Sequence, residues 1–327
     1  MRRSNKIHNV DLFTSAANDH FRKHVKTQSK RALEMMNARV NWQELMRPIE
    51  KAITKERSSQ SSAGRPSHDL LVIVKCFLLQ SIYNLSDPRL EEEIADRRSF
   101  QIFLGLSSAD AIPDETTICR YRELFARLGL DKVLFRRFNR QLTSMGLIIG
   151  KGTIVDATLK QAQAFGGGGR DTDAKYTSRN GRMFYGYKGH VGVDLDTNIV
   201  HTAEFTTANV SDTDLFDTML LGTERKIYAD KGYSKRERRE RLEDNGIYCG
   251  IMYRGARGHP LTKRQKQRNQ VFARVRAAVE RPFAYIGRIL GYKRCRYYDL
   301  ARNRFQFLFA LLIHNIRRSL TLSPLSP

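Results

Sequence analysis

The sequence predicts an α/β domain, a mixed sheet with flanking helices, preceded by an all-helical domain. Three observations carry that prediction. Apolar residues recur at three- and four-residue spacing from His68 to about Leu128. Short β-prone runs take over near Leu147. Carboxylates stand at the ends of two such runs, Asp156 in KGTIVDATLK and Asp230 in KIYADKGY. The expected division is a polar, basic segment and linker over residues 1–65, the helical domain over 66–146, and the α/β domain over 147–320.

Taken in order, Asn41–Thr54 reads as an amphipathic helix interrupted at Pro48, and Ser58–Ser67 (SSQSSAGRPS) as a linker. His68–Tyr83 has the pattern of a buried helix, and Asp87-Pro88 starts another that runs through Leu90, Ile94 and Phe100. Asp114 opens a helix carrying Ile118, Tyr121, Leu124, Phe125 and Leu128, which Gly129 stops. The pair around Pro113 reads either as a plain bundle or as a helix-turn-helix, in which Thr117, Arg120 and Arg122 face a DNA groove.

Thr153–Leu159 is expected to be a strand. Phe165–Arg182, with Gly166–Gly169, reads as a flexible insertion; no helix start follows the glycines as a phosphate-cradling loop requires. Phe184–Asp194 and Ile199–Thr207 form a hairpin about Asp196-Thr197-Asn198, with Asp194 a turn residue. Asn209–Leu221 reads as a capped helix, with Asp212 a cap rather than a ligand. Lys226–Ala229 is a strand delivering Asp230, Ser234–Asn245 a charged helix, Ile247–Tyr253 a strand, and Thr262–Leu290 one long helix bearing Glu280. An antiparallel hairpin sheet followed by crossover helices is the ribonuclease-H-like topology. It places both aspartates side by side at the sheet centre.

With 57 basic and 34 acidic residues the chain carries a net charge of +23, which points to a polyanionic partner, DNA before an anionic membrane. The longest apolar run, Phe307–Ile313, falls far short of the ~20 residues of a membrane span. No apolar signal region is visible near the N-terminus. The expected location is therefore the cytoplasm, in association with the nucleoid. Cys76, Cys119, Cys249 and Cys295 lie far apart without a CxxC, as in reduced structural thiols rather than a zinc site.

Any lone Asp or Glu is most simply a surface acid. The neighbours argue otherwise here: from Arg254 to Arg294 there are twelve Lys or Arg (254, 257, 263, 264, 266, 268, 274, 276, 281, 288, 293 and 294) and a single acid, Glu280. Three carboxylates from strand ends and a basic helix suit two Mg²⁺ ions acting on a phosphodiester. The basic residues suit phosphates.

These segments resemble the bacterial insertion-sequence transposases of the DDE class, most closely the insertion-sequence-five type. IVDAT is similar to the first-aspartate motif and YGYKGHVGVD to the hairpin after it. TTANVSD and YADKGY are similar to the second-aspartate region, and RAAVERPF to the glutamate helix. The resemblance covers about residues 150–317, extends through the helical module from Gly64, and leaves residues 1–60 unmatched. It implies a catalytic and metal-binding triad of Asp156, Asp230 and Glu280, two Mg²⁺ ions with Mn²⁺ able to substitute, and cleavage at terminal inverted repeats followed by strand transfer into target DNA. A homodimer would hold the two ends.

The family's glutamate-helix signature runs Tyr, two residues, Arg, three residues, Glu, six residues, Lys. This chain keeps Arg276 and Glu280 but has Ala273 and Gly287 at the outer positions, with Arg288 one place on, where it could supply the phosphate contact. Arg276, Arg281 and Arg288 are expected on DNA, and the resemblance sets Lys188 and His190 near the site, as DNA contacts or as structural groups. His201 is expected to be structural, and Tyr292, Tyr297 and Tyr298 to pack rather than stack on bases.

Overall fold

A computed structural model describes residues 20–21, 23–58, 68–107, 110–163, 171–179, 181–256 and 258–323. The linker expected at Ser58–Ser67 and the four glycines Gly166–Gly169 lie outside these, apart from Ser58. The chain divides into two compact units, one of residues Met1–Phe138 with Ser323–Pro327 and one of Asn139–Leu322.

The first unit is helical. It contains α1 (Gln28–Arg39), α2 (Trp42–Ser58), α3 (Leu70–Tyr83), α4 (Asp87–Asp96), α5 (Arg98–Leu104), α6 (Glu115–Arg127) and most of α7 (Leu130–Ser144). Pro48 does not interrupt α2 as its sequence implied. Leu45, Met46, Ile49 and Ile53 bury one stripe on both sides of it, which outweighs the lost backbone bond. The cap residues behave as expected: the Asp114 carboxylate accepts from the Thr117 N–H at 2.6 Å, and Gly129 takes a left-handed φ of 64°.

The second unit is built on a six-stranded sheet of order β2-β3-β1-β5-β6, with β4 also paired to β3. Its strands are β1 (Gly152–Gln161), β2 (Lys175–Arg179), β3 (Arg182–Asp194), β4 (Val200–Thr207), β5 (Lys226–Ala229) and β6 (Tyr248–Ile251). The first four are antiparallel neighbours, whereas β1, β5 and β6 run parallel. The hairpin turn is fixed by Asp194, which accepts from the N–H groups of Asp196 and Thr197 at 3.1 and 2.9 Å. On its other oxygen Asp194 takes the N–H of Ile149 and Gly150 at 2.9 and 2.8 Å, tying the approach to β1 to the end of β3. The remaining helices are α8 (Arg236–Asp244), α9 (Lys263–Arg276), α10 (Glu280–Ala284) and α11 (Leu300–Leu322).

Register sorts the side chains into two faces, since residues directly opposite in a ladder point the same way. Asp156 is opposite Val191, Thr158 opposite Gly189, and Tyr228 opposite Ile154; these make one face, called the front. Phe272 of α9 packs near Tyr228, and Phe307 of α11 closes on Gly189. On the back, Val155, Ile227, Ala229, Cys249 and Ile251 pack with Phe216, Met219, Tyr233 and Leu242.

Two elements differ from the sequence expectation. Asn209–Leu221 is not a helix but two short 3₁₀ turns, Asp212–Leu215 and Asp217–Met219. The Asp- and Thr-rich segment has little helix propensity, and burying Phe216 and Met219 fixes it instead. Nor is Thr262–Leu290 one helix: after α9 come a 3₁₀ turn at Ala277–Val279, then α10, then a π turn at Tyr285–Ile289. Pro282 has no N–H for the carbonyl four residues back, Ala278, so the α-helical ladder fails there. The strand β2 falls within the segment expected to be a loop.

Candidate active site

The site forms at the C-terminal ends of the parallel strands. On β1, Asp156 lies one residue beyond the last pairing with β5, Val155 with Ala229; Asp230 follows Ala229 directly. The two carboxylates therefore leave neighbouring strands on the front face. Each is steadied by the next residue's N–H: Ala157 donates to Asp156 Oδ1 at 2.9 Å and Lys231 to Asp230 Oδ1 at 2.7 Å.

Arg276, the last residue of α9, reaches both. Its Nη2 donates to Asp156 Oδ2 at 3.0 Å, and its Nη1 lies 3.7 Å from Asp230 Oδ1 and 3.7 Å from the Met252 sulfur. Burial raises the Asp156 carboxyl above its ordinary value, Asp230 adds to that, and Arg276 opposes it. Burial works against the Arg276 cation too, yet the charges of Asp156, Asp230 and Glu280 hold it above its ordinary value. Two buried or half-buried acids thus share one guanidinium, whose Nε has no hydrogen-bond partner among the described residues.

Glu280 opens α10, exposed, four residues after Arg276. Its charge acts on the guanidinium, but among the described residues no three acidic, His or Cys side chains converge as a ready metal cage. Arg276 occupies the space between the aspartates, where it stands in for a cation. Such oxygen donors, drawn to one positive centre, fit a hard divalent ion. Arg281 and Arg288 are exposed on the same broken segment.

Lys188 and His190 are not on this face. His190 is opposite Ala157 and Lys188 opposite Leu159, so both project from the back. There the Lys188 ammonium lies 2.9 Å from Asp212 Oδ1 and donates to the Val210 carbonyl at 2.8 Å. The ion pair lacks hydrogen-bond alignment at the carboxylate. His190 Nε2 is 3.0 Å from Thr206 Oγ1, its Nδ1 3.9 Å from Asp212, and burial pushes its pKa down to about 4, so it is neutral at pH 7. Asp212 is therefore more than the cap expected of it. His201 is buried between Thr153 and Thr202, a structural group.

Arg122 must be corrected. It is only 2% exposed, and its guanidinium bonds Asp87 and Gln80. Helical spacing puts residue 122 on the stripe of Ile118 and Phe125, the buried face of α6, so no groove can meet it. Arg120 is exposed. Tyr292 is buried, as expected, with its carbonyl accepting from Lys160 at 2.7 Å, whereas Tyr298, expected to pack, is exposed.

Sequence reasoning passed over Tyr233. Its buried hydroxyl has no hydrogen-bond partner among the described residues, and burial, then Asp212 and Asp156, raise its pKa far above the ordinary value. Its place three residues after Asp230 in YADKGY was the available signal.

The profile of the family described as Transposase DDE domain matches residues 149–316, the segment holding Asp156, Asp230, Arg276 and Glu280. The chain belongs to the DDE transposases. A second profile, Transposase domain (DUF772), matches residues 20–124 of this transposase. Its α/β unit accordingly has the ribonuclease-H-like fold, and its activity is that of a transposase, an enzyme of DNA phosphodiester chemistry whose class uses divalent metals. Among solved structures, the transposase is similar to piggyBac transposase in a synaptic complex with hairpin DNA. That match has a TM-score of 0.41 at 10% identity over 86% of this chain and 72% of that one. The Mos1 mariner paired end complex with Mn aligns with a TM-score of 0.20 at 12% identity over 89% and 99%.

Proposed function

We propose that this transposase, of the insertion-sequence-five type, cuts DNA at the terminal inverted repeats of its element and joins the exposed 3′-hydroxyl to target DNA. Asp156, Asp230 and Glu280 are its metal ligands and Mg²⁺ its working ion, with Mn²⁺ able to substitute. The observation that carries this reading is the convergence of Asp156 and Asp230 on a single cation, Arg276, at the C-terminal edge of the parallel strands.

Divalent ions held by Asp156, Asp230 and Glu280 would supply the electrostatics for activating an attacking oxygen and stabilising a leaving one. The chain's own residues do the positioning. Backbone N–H groups of Ala157 and Lys231 fix the two carboxylates, so little reorganisation is needed at the moment of reaction. Arg276 keeps a positive charge between the two aspartates, and the exposed Arg281 and Arg288 extend that charge along the same segment. Glu280 is exposed, and its charge acts on Arg276. The helical residues 66–146 would bind the element ends, with Arg120 among the available contacts. A homodimer in the nucleoid would hold both ends together.

The test is Mg²⁺-dependent nicking and joining on an element-end duplex. Wild type should nick and join, and Asp156→Ala should do neither while binding the duplex as wild type does. Equal activity in the two proteins would remove Asp156 from the chemistry and with it the triad.

A further inference from the structure

Beside the aspartate pair, at the same edge of the sheet, lies an open cleft of about 630 Å³ lined by Ser234, Lys235, Arg236, Arg239 and Arg254, with Gly255 and Ala256. Among the described residues it collects four cations and no acid on its walls. The segments that form it leave the C-terminal ends of β5 and β6, the two strands next to β1 in parallel order. Met252, which touches Arg276, is two residues before Arg254, so one short stretch of chain links the site to the cleft wall.

We propose that this cleft holds the phosphodiester backbone of the DNA strand cut at the aspartates, a few nucleotides from the scissile phosphate. The proposal rests on the DNA-cleaving reading above.

Spacing supports it first. Neighbouring strands stand about 4.8 Å apart, so the step from β1 across β5 to β6 is about 10 Å. Measured along the axis of a B-form duplex, at about 3.4 Å of rise per nucleotide, that is about three nucleotides. A strand entering the aspartate pair therefore has phosphates within reach of Arg254 and Lys235.

The cations are also differently employed. Arg239 is a fixed wall: it donates to the Ile251 carbonyl at 2.7 Å and lies 4.1 Å above the Tyr253 ring. Arg236 is 90% exposed and pairs with Glu240 at 2.7 Å, a contact easily exchanged for a phosphate. Lys235 and Arg254 are exposed and form no ion pair among the described residues. Lys235 also occupies the N-cap of α8 without any side chain capping the helix, so the positive end of the helix dipole adds to the charge beside the cleft. A cleft with rigid and movable cations suits a flexible polyanion better than a single small anion.

The test compares wild type with Lys235→Ala/Arg254→Ala, both exposed positions whose loss leaves the Arg239 wall in place. Binding to a random 30-base-pair duplex is followed against salt in Ca²⁺, where no cleavage is needed. Each lost phosphate contact lowers the slope of log K against log salt by about 0.9, so the slope should fall by about 2. Lys235→Arg/Arg254→Lys should restore it, which a folding defect would not allow.

Mg²⁺-dependent cleavage of element-end duplexes then locates the effect. On duplexes extending ten base pairs beyond the cut on both sides, the double variant should show a KM raised about tenfold or more. On duplexes trimmed to one base pair on the side the cleft serves, variant and wild type should cleave alike. An unchanged slope, or an equal defect on every duplex length, overturns the cleft. Loss of the slope in a protein whose wild type cleaves nothing would keep the cleft as a DNA site and overturn the catalytic reading instead.

Discussion

The two faces of the central sheet use the same ingredients and reach opposite results. On the back, one ammonium, Lys188, meets one carboxylate, Asp212, beside a neutral imidazole, and the charges cancel. On the front, one guanidinium is shared by Asp156 and Asp230 with Glu280 within electrostatic reach, so negative charge is left over. A buried ion pair that serves only the fold can be balanced, because any residual charge costs stability. An excess of carboxylate kept at a strand end makes sense where a further cation is to be received. Residue type and spacing alone do not separate the two cases, since Lys188 and His190 look as functional in the sequence as Asp156 does.

The sharpest way to break this contrast is to neutralise one acid on each face. Asp156→Asn should lower metal-dependent cleavage by about 10³-fold or more, the scale of losing a group that acts on transition-state charge. Asp212→Asn should cost less than about tenfold in rate, its effect appearing in stability. Single-turnover rates on an element-end duplex decide it. A collapse in rate for Asp212→Asn with the fold intact would move that carboxylate into the site.

A second experiment removes the shared cation. Arg276→Gln leaves two neighbouring carboxylates without their partner, and breaking a partly buried pair costs about 3 kcal/mol. Melting in chelator should therefore drop by about 6–10 °C for a unit of this size. Added Mg²⁺ should restore more of the variant's melting temperature than it adds to wild type, because an ion then takes up the charge Arg276 held. The same Mg²⁺ increment in both proteins would mean that Arg276 does not occupy the cation position.

The order of strands and the two strand-end aspartates could be read from the sequence because they rest on local signals. Thr153–Val155 and Lys226–Ala229 are short β-prone runs, each next to its acid, and Asp194 has the chemistry its turn demands. The break at Ala277–Val279 was hidden because Pro282 acts four residues upstream of itself, through a carbonyl that has lost its donor. Arg122 was misjudged because charge outweighed phase: its helical position relative to Ile118 and Phe125 was visible, and its partners Asp87 and Gln80 were not. The basic cleft escaped notice since Lys235 and Arg254 are nineteen positions apart and meet only through the parallel pairing of β5 with β6.

Two glycines on β3 compare the faces by packing alone. Gly189 points to the front, where an added Cβ would stand 2.4 Å from the Phe307 ring; Gly192 points to the back, 2.2 Å from the Met219 carbonyl oxygen. A ring can tilt and a backbone carbonyl cannot move without its chain. Gly192→Ala should thus cost about 2–3 kcal/mol and Gly189→Ala about 1 kcal/mol, both within the range for overpacking. Equilibrium denaturation would show it, and equal values would mean that the back is as deformable as the front.

A further expected effect is a pH dependence carried by the buried histidines. Burial lowers the His190 pKa from its ordinary 6.5 to about 4, Asp212 pulling it up and Lys188 down. A depressed histidine gives stability that is complete above pH 6.5 and is lost as pH falls toward 4, because the unfolded chain binds a proton that the folded one refuses. His201 and His314, also lowered to about 4, act in the same window. Wild type should therefore weaken steeply between pH 6.5 and 4, and His190→Gln should remove about one third of that slope, about 1–2 kcal/mol near pH 5. Denaturation midpoints at pH 7, 6 and 5 measure it. If the slopes coincide, His190 takes its proton within the fold and Asp212, 3.9 Å away, carries the resulting charge. The back would then be a balanced pair able to become a three-charge cluster in acid, and its contrast with the front would hold only near neutral pH.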